Sequence, residues 1–229
     1  MKLTWSSLLT AAVAGLILTA CHTPHQPRAN ATIELFDGKS LDGWQYVLAD
    51  PAVPREAVWS VREGLIVCKG QPLGVLHSSQ AFKNFRFVLE YRWAPGQPPG
   101  NSGILTRING PARALPRCAE VQLQHGNAGD VLGLQGLTVA TDQPRLFEIK
   151  AHKVAGDIAG VRKLVDAEKP AGEWNRVELL AQGGRYTVWV NEQKVNEATG
   201  VEVVAGPLGL QSEGGEIHFR RATLTPLGD

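Results

Sequence analysis

Along most of the chain, apolar and polar residues alternate with a period of two in short runs broken by glycine, proline, asparagine and aspartate. That period marks strands half-buried in a sheet, because successive side chains point to opposite faces. The clearest run, Phe85–Trp93, sets Phe87, Leu89, Tyr91 and Trp93 on one face and Arg86, Val88, Glu90 and Arg92 on the other. A second run, residues 119 to 125, groups Glu120, Gln122 and Gln124 against Val121 and Leu123. Residues 101 to 108 predict a strand between these two, and a loop holding Pro111 and Pro116 follows it. Hairpins are predicted over residues 59 to 68, turning at Glu63-Gly64, and 176 to 190, turning at Gly183-Gly184. Residues 75 to 78, 206 to 211 and 216 to 225 read as further strands, with weaker candidates at 146 to 153 and 161 to 164. The glycine-rich stretch from 126 to 145 reads as a surface loop with at most one brief strand. No long segment repeats apolar residues at helical spacing, so helix is limited to a turn or two. The expected fold is all-β, a two-sheet antiparallel β-sandwich or jelly roll.

The first residues follow a different pattern. Lys2 precedes an apolar run from 8 to 18, and Leu18-Thr19-Ala20-Cys21 closes it. A basic start, a short hydrophobic segment and small residues before a cysteine make a secretory signal. It is similar to a bacterial lipoprotein signal, which makes Cys21 the lipidation site and the membrane anchor. The expected organisation is a signal peptide over 1 to 20, a polar proline-containing tether over 21 to 31, and a single domain over 32 to 229. The expected location is the cell envelope, lipid-anchored, facing the periplasm or on the outer-membrane surface; His22 after the cysteine, in place of aspartate, favours the outer membrane.

Charge removes one class of partner. Twenty-three Lys and Arg stand against 22 Asp and Glu, so the basic bias that nucleic-acid binding requires is missing. Besides Cys21 the chain has Cys68 and Cys118. Export would permit one disulfide between them, and two buried thiols on neighbouring strands fit equally well. Neither belongs to a CxxC pair, which argues against a zinc knuckle or a thioredoxin-like site. Of the tryptophans, Trp93 and Trp189 lie in alternating strands and are expected in the core. Trp174, at a strand entrance, is left open to sugar stacking. His77, His152 and His218 have no recognisable companions and read as surface or packed residues.

Six separated stretches share one pattern: LFDGKSLDGW at 35 to 44, NFRFVLEYRW at 84 to 93, NSGILTR at 101 to 107, EVQLQ at 120 to 124, KPAGEWN at 169 to 175 and GLQSEGGEIHFR at 209 to 220. Together they resemble the 3-keto-disaccharide hydrolase family, and the resemblance implies a concanavalin A-like jelly roll. It also implies carbohydrate substrates, 3-keto-glycosides or 3-keto-disaccharides, with the ketone supplied by a partner sugar 3-dehydrogenase. The chain departs from the family pattern in places. It has Gln124-His125 where relatives carry an aspartate, and Ser212-Glu213-Gly214 where relatives show Asp-His-Gly. Asn191-Glu192 stands at a hairpin usually closed by Asn-Gly, and Arg221 replaces an asparagine.

A ketone at C3 acidifies the C2 proton, so the glycosidic bond can be cleaved by proton abstraction, elimination of the leaving group and addition of water. That route needs a base near C2, a stabilising group at the enolate oxygen and an acid for the departing oxygen. The resemblance and the residue types nominate Glu120 or His125 as base, Arg92 or Arg107 beside the enolate oxygen, and Glu213 as acid, with Glu90 a further carboxylate. Asn101, Ser102, Gln122, Gln124, Trp174 and Gln211 are the expected substrate contacts. Direct hydrolysis by a carboxylate pair is the competing mechanism. No cofactor is required by either route, while the carboxylates with His125 leave room for a divalent cation. A non-catalytic carbohydrate-binding protein is the rival function, because the fold alone does not establish catalysis.

Overall fold

The computed structural model describes residues 31 to 141 and 144 to 228. The expected signal, Cys21 and most of the tether lie outside the described residues. The first half of the chain supplies β1 (Ile33–Glu34), β2 (Trp44–Leu48), a single helical turn α1 (Arg55–Val58), β3 (Trp59–Arg62), β4 (Leu65–Cys68), β5 (Gly74–Phe82), β6 (Phe85–Trp93) and β7 (Gly103–Asn109). The second half supplies β8 (Arg117–Gln122), β9 (Val131–Leu134), β10 (Leu146–His152), β11 (Gly156–Val161), β12 (Asn175–Gln182), β13 (Arg185–Val190), β14 (Gln193–Ala198), β15 (Gly206–Ser212) and β16 (Ile217–Pro226).

These strands build two antiparallel sheets. The first runs β14-β13-β12-β6-β16-β4-β3, with β1 paired to β16; the second runs β10-β11-β9-β8-β7-β15-β5-β2. Central position explains the strong alternation of β6, which is hydrogen-bonded on both edges to β12 and β16. Its Phe87, Leu89, Tyr91 and Trp93 are buried between the sheets, where they share one core with Ile104, Val121 and Leu210 of the second sheet and with Leu123 just after β8. Each such side chain contributes about 1.5–3 kcal/mol through removal from water. The predicted hairpins form as read, with Glu63 and Gly64 both at positive φ between β3 and β4, and Gln182 paired to Arg185 across Gly183-Gly184. Asn191 and Glu192 likewise both take positive φ, so the missing glycine alters turn strain without altering the hairpin.

Several expectations are corrected. The stretch from 126 to 145 holds the brief strand allowed for, β9, but that strand is buried between β8 and β11 rather than on the surface, because Val131, Leu132 and Leu134 cover both faces of the sheet and leave no alternation to read. The strand expected at 161 to 164 ends at Val161. Trp189 is half-buried rather than core. Cys68 and Cys118 are both free and buried in different apolar clusters, so the disulfide alternative falls. Burial pushes the Cys68 thiol up to about 11 and the Cys118 thiol well above its ordinary value.

Candidate functional site

The outer face of the second sheet holds a cleft of about 310 Å³. Alternation on β8 delivers Cys118, Glu120 and Gln122 to that face while Ala119 and Val121 enter the core. Glu120 is 2% exposed. Room for its carboxyl comes from the neighbouring strand, where Gly103 pairs with Gln122 and carries no side chain. A Cβ at Gly103 would lie 2.2 Å from Glu120 Oε1. β15 adds Gln211, and the turn after it adds Glu213.

The carboxyls of Glu120 and Glu213 have unlike surroundings. Burial, and then the charge of Glu213, raise the Glu120 pKa well above its ordinary value. Its Oε1 is buried with no hydrogen-bond partner, which disfavours the charged form further. Glu213 accepts a hydrogen bond from Asn101 Nδ2 at 2.8 Å. Burial raises its pKa too, while a hydrogen bond from Gln211 and the positive charge His152 can carry work in the opposite direction. Two carboxyls whose environments push them apart are the usual preparation for acid and base roles. Asn101 Oδ1 and Gln211 Oε1 are, with Glu120 Oε1, buried acceptors without donors.

The second sheet also supplies groups that sequence reading missed. His152 lines the cleft, although strict alternation along β10 would turn it away with Glu148 and Lys150. One extra residue between Ile149 and His152 shifts the register against β11, and Ala151 takes a φ of +50° to accommodate it. The imidazole is oriented by the backbone, since its Nδ1 accepts the Ala155 N–H at 3.0 Å. The ring proton of the neutral form is thereby assigned to Nε2. Asn127, Asp130 and Arg162 complete the polar lining, with Asp130 accepting the Lys163 N–H at 2.7 Å.

Of the residues nominated from sequence, Glu120, Glu213, Asn101, Gln122, Gln124 and Gln211 gather around this cleft. Gln122 also serves its own loop, accepting the backbone N–H groups of Leu123 and Gln124 at 2.9 Å. Gln124 Oε1 accepts from Asn127. Ser102 lies behind the cleft, fully buried, its hydroxyl donating to the Gln211 carbonyl at 2.8 Å.

The others are elsewhere. Glu90 and Arg92 sit on the outer face of the first sheet, on the far side of the core. There Glu90 accepts from Arg220 at 2.6 Å, and Trp174 lies under the guanidiniums of Arg220 and Arg92 at 3.9 and 4.7 Å. Those cations already occupy the ring of Trp174, the indole left open to sugar stacking. Arg107 is fully buried by a second bulge, between Thr106 and Asn109. Its guanidinium donates to the carbonyls of Lys83, Gly183, Val201 and Glu202 and stacks on Tyr186 at 5.0 Å. It holds loops together. His125 pairs with Glu168 at 3.3 Å outside the cleft, and Glu168 also accepts from Tyr91. With His125 removed, the cation site imagined from sequence loses its nitrogen ligand. Among the described residues no three His, Cys, Asp or Glu side chains gather around one point.

Comparison with known proteins agrees with this architecture. A model of the 3-keto-alpha-glucoside-1,2-lyase-like domain matches residues 31–225. A 3-keto-disaccharide hydrolase of Bacteroides thetaiotaomicron is 25% identical over 188 residues, covering 74% of this chain and 59% of that protein. The chain thus spans well under two thirds of that relative's length. Among solved structures, a candidate glycosyl hydrolase from Parabacteroides distasonis superposes with a TM-score of 0.62 at 20% identity, over 86% of this chain and 94% of the other. A β-glucanase of Bacillus licheniformis superposes with a TM-score of 0.53 at 12% identity, over 89% of this chain and 100% of the other. The two sheets form a concanavalin A-like jelly roll, and because the matching model runs from the first described strand into the last, the chain belongs to the 3-keto-alpha-glucoside-1,2-lyase-like domain family.

Proposed function

We propose that the protein cleaves glycosides whose sugar has been oxidised to a ketone at C3. The observation that carries this reading is the pairing of a buried Glu120, whose pKa burial raises, with the more accessible Glu213 in one cleft. Glu213, held by Asn101 and Gln211, takes the proton from C2. The electron pair of that C–H bond forms the C1–C2 double bond as the C1–O bond breaks. Glu120 donates its proton to the departing oxygen. Water then adds across the double bond, so that the net reaction is hydrolysis with no redox change. His152 Nε2–H and Arg162 are the donors available to the C3 oxygen, in the roles expected of Arg92 and Arg107. Family membership and the name of the Bacteroides relative support the substrate class, and a partner oxidoreductase acting on sugar C3 would supply the ketone.

The test is incubation of the purified protein with a 3-keto-glucoside and with 3-keto-trehalose, with and without chelator, following release of the alcohol or of keto-glucose. Turnover is expected, and Glu120→Gln should lower kcat by about 10²–10⁴-fold, the usual contribution of a positioned proton donor. Folded protein that binds the parent glycan without cleaving either ketone would establish the carbohydrate-binding alternative instead.

A further inference from the structure

The cleft continues beyond its carboxyl end, and its chemistry changes. Leu132, Leu134, Phe147 and Ile158 belong to an apolar cluster separate from the main core, on the outer face of the second sheet. All four line the cleft. Ile149, at the same end, is 43% exposed. An outer sheet face carries polar side chains unless something covers it. Phe147 is seated deliberately: Gly160 across the ladder has no side chain, and a Cβ there would lie 2.3 Å from the phenyl ring. Arg162 stacks on the ring at 4.6 Å.

The polar end fixes which way a glycoside lies. Asn101 Oδ1, Glu120 Oε1 and Gln211 Oε1 are buried acceptors lacking donors, and the hydroxyls of the oxidised sugar ring are donors that would complete them. With the sugar at that end, the leaving group extends along Leu132, Ile158 and Phe147. A second sugar would bury its hydroxyls against a wall with few partners for them, whereas C–H groups fit it. We infer that the preferred substrates are 3-keto-glycosides of apolar alkyl or aryl alcohols rather than disaccharides, and that Phe147, Ile158 and Leu132 select the aglycone. The inference rests on the proposed cleavage for its orientation, but the apolar wall itself can be tested without catalysis.

Binding of unoxidised hexyl and methyl glucosides, in both anomers, is measured by calorimetry, and kcat/KM is measured on their 3-keto counterparts. Both leaving groups are simple alkoxides of similar basicity, so any difference reports contact with the wall. Hexyl should exceed methyl by at least tenfold in affinity and in kcat/KM, and the 3-keto-disaccharide should fall below hexyl. Ile158→Asn should remove most of that margin; Ile149→Ser, on an exposed rim position that folding does not depend on, should narrow it two- to threefold. Equal affinity for hexyl and methyl, or a margin untouched by both substitutions, overturns the inference. A hexyl preference in binding without turnover of either ketone would uphold the apolar wall and remove the cleavage reading, while turnover without preference would do the reverse.

Discussion

Glu120 illustrates how one side chain can oppose the fold that holds it. Burial and the nearby Glu213 raise its pKa above the ordinary value of 4.5, which means that the folded state favours the protonated form. Such a group contributes most below the unfolded value and loses that contribution as pH rises from about 4.5 toward the folded value. Glu120→Gln removes the titration. The variant should therefore match wild type in Tm at pH 4 and exceed it increasingly above pH 4.5, by about 2–4 °C for each kcal/mol of burial penalty relieved. Thermal melts of both proteins across pH 4 to 8 check this, and a variant less stable than wild type throughout would make Glu120 a structural residue. Arg107 shows the converse: the sequence offered a cation near a carboxylate strand, but four carbonyl partners spend that cation on loop closure.

At the scale of strands, faces were legible where alternation was unbroken. Period two correctly assigned the buried and solvent faces of β6, and it grouped Glu120 with Gln122 on β8. It failed at bulges, because one inserted residue reverses every side chain beyond it and leaves composition and spacing unchanged. Arg107 and His152 are the two cases, one turned inward and one turned into the cleft. Nor could alternation within a strand say which sheet the strand joins, so Glu90 and Arg92 were read beside Glu120 although β6 and β8 lie in opposite sheets. Deleting Ala151 tests the bulge on β10. The strand should regain a regular register with β11, His152 should turn away from the cleft, and kcat should drop at least tenfold while circular dichroism and the thermal transition show a folded protein. Unchanged turnover would show that His152 has no part in the reaction.

For the whole molecule, a two-sheet sandwich or jelly roll was accessible from strand number and spacing, and six short stretches in order gave the family and, through it, the concanavalin A-like jelly roll. The apolar half of the cleft was not, since Leu132, Phe147 and Ile158 come from three strands that only the sheet order brings together. Attachment to the envelope is a proposal at this scale. Cys21→Ser should release the mature protein from the membrane fraction and abolish incorporation of labelled palmitate, as gel fluorography of fractionated cells would show. Retention of label would place the lipid elsewhere.

The order of the strands has a kinetic meaning as well. β1 finds its partner only in β16, the last strand described, and β6 at the centre of the first sheet takes both of its partners, β12 and β16, from the C-terminal half. Contacts so distant in sequence close late and slowly. The first sheet is complete only once β16 is available to pair with β1, β4 and β6, so a chain cut short of that strand would leave the centre of the sheet with an open edge.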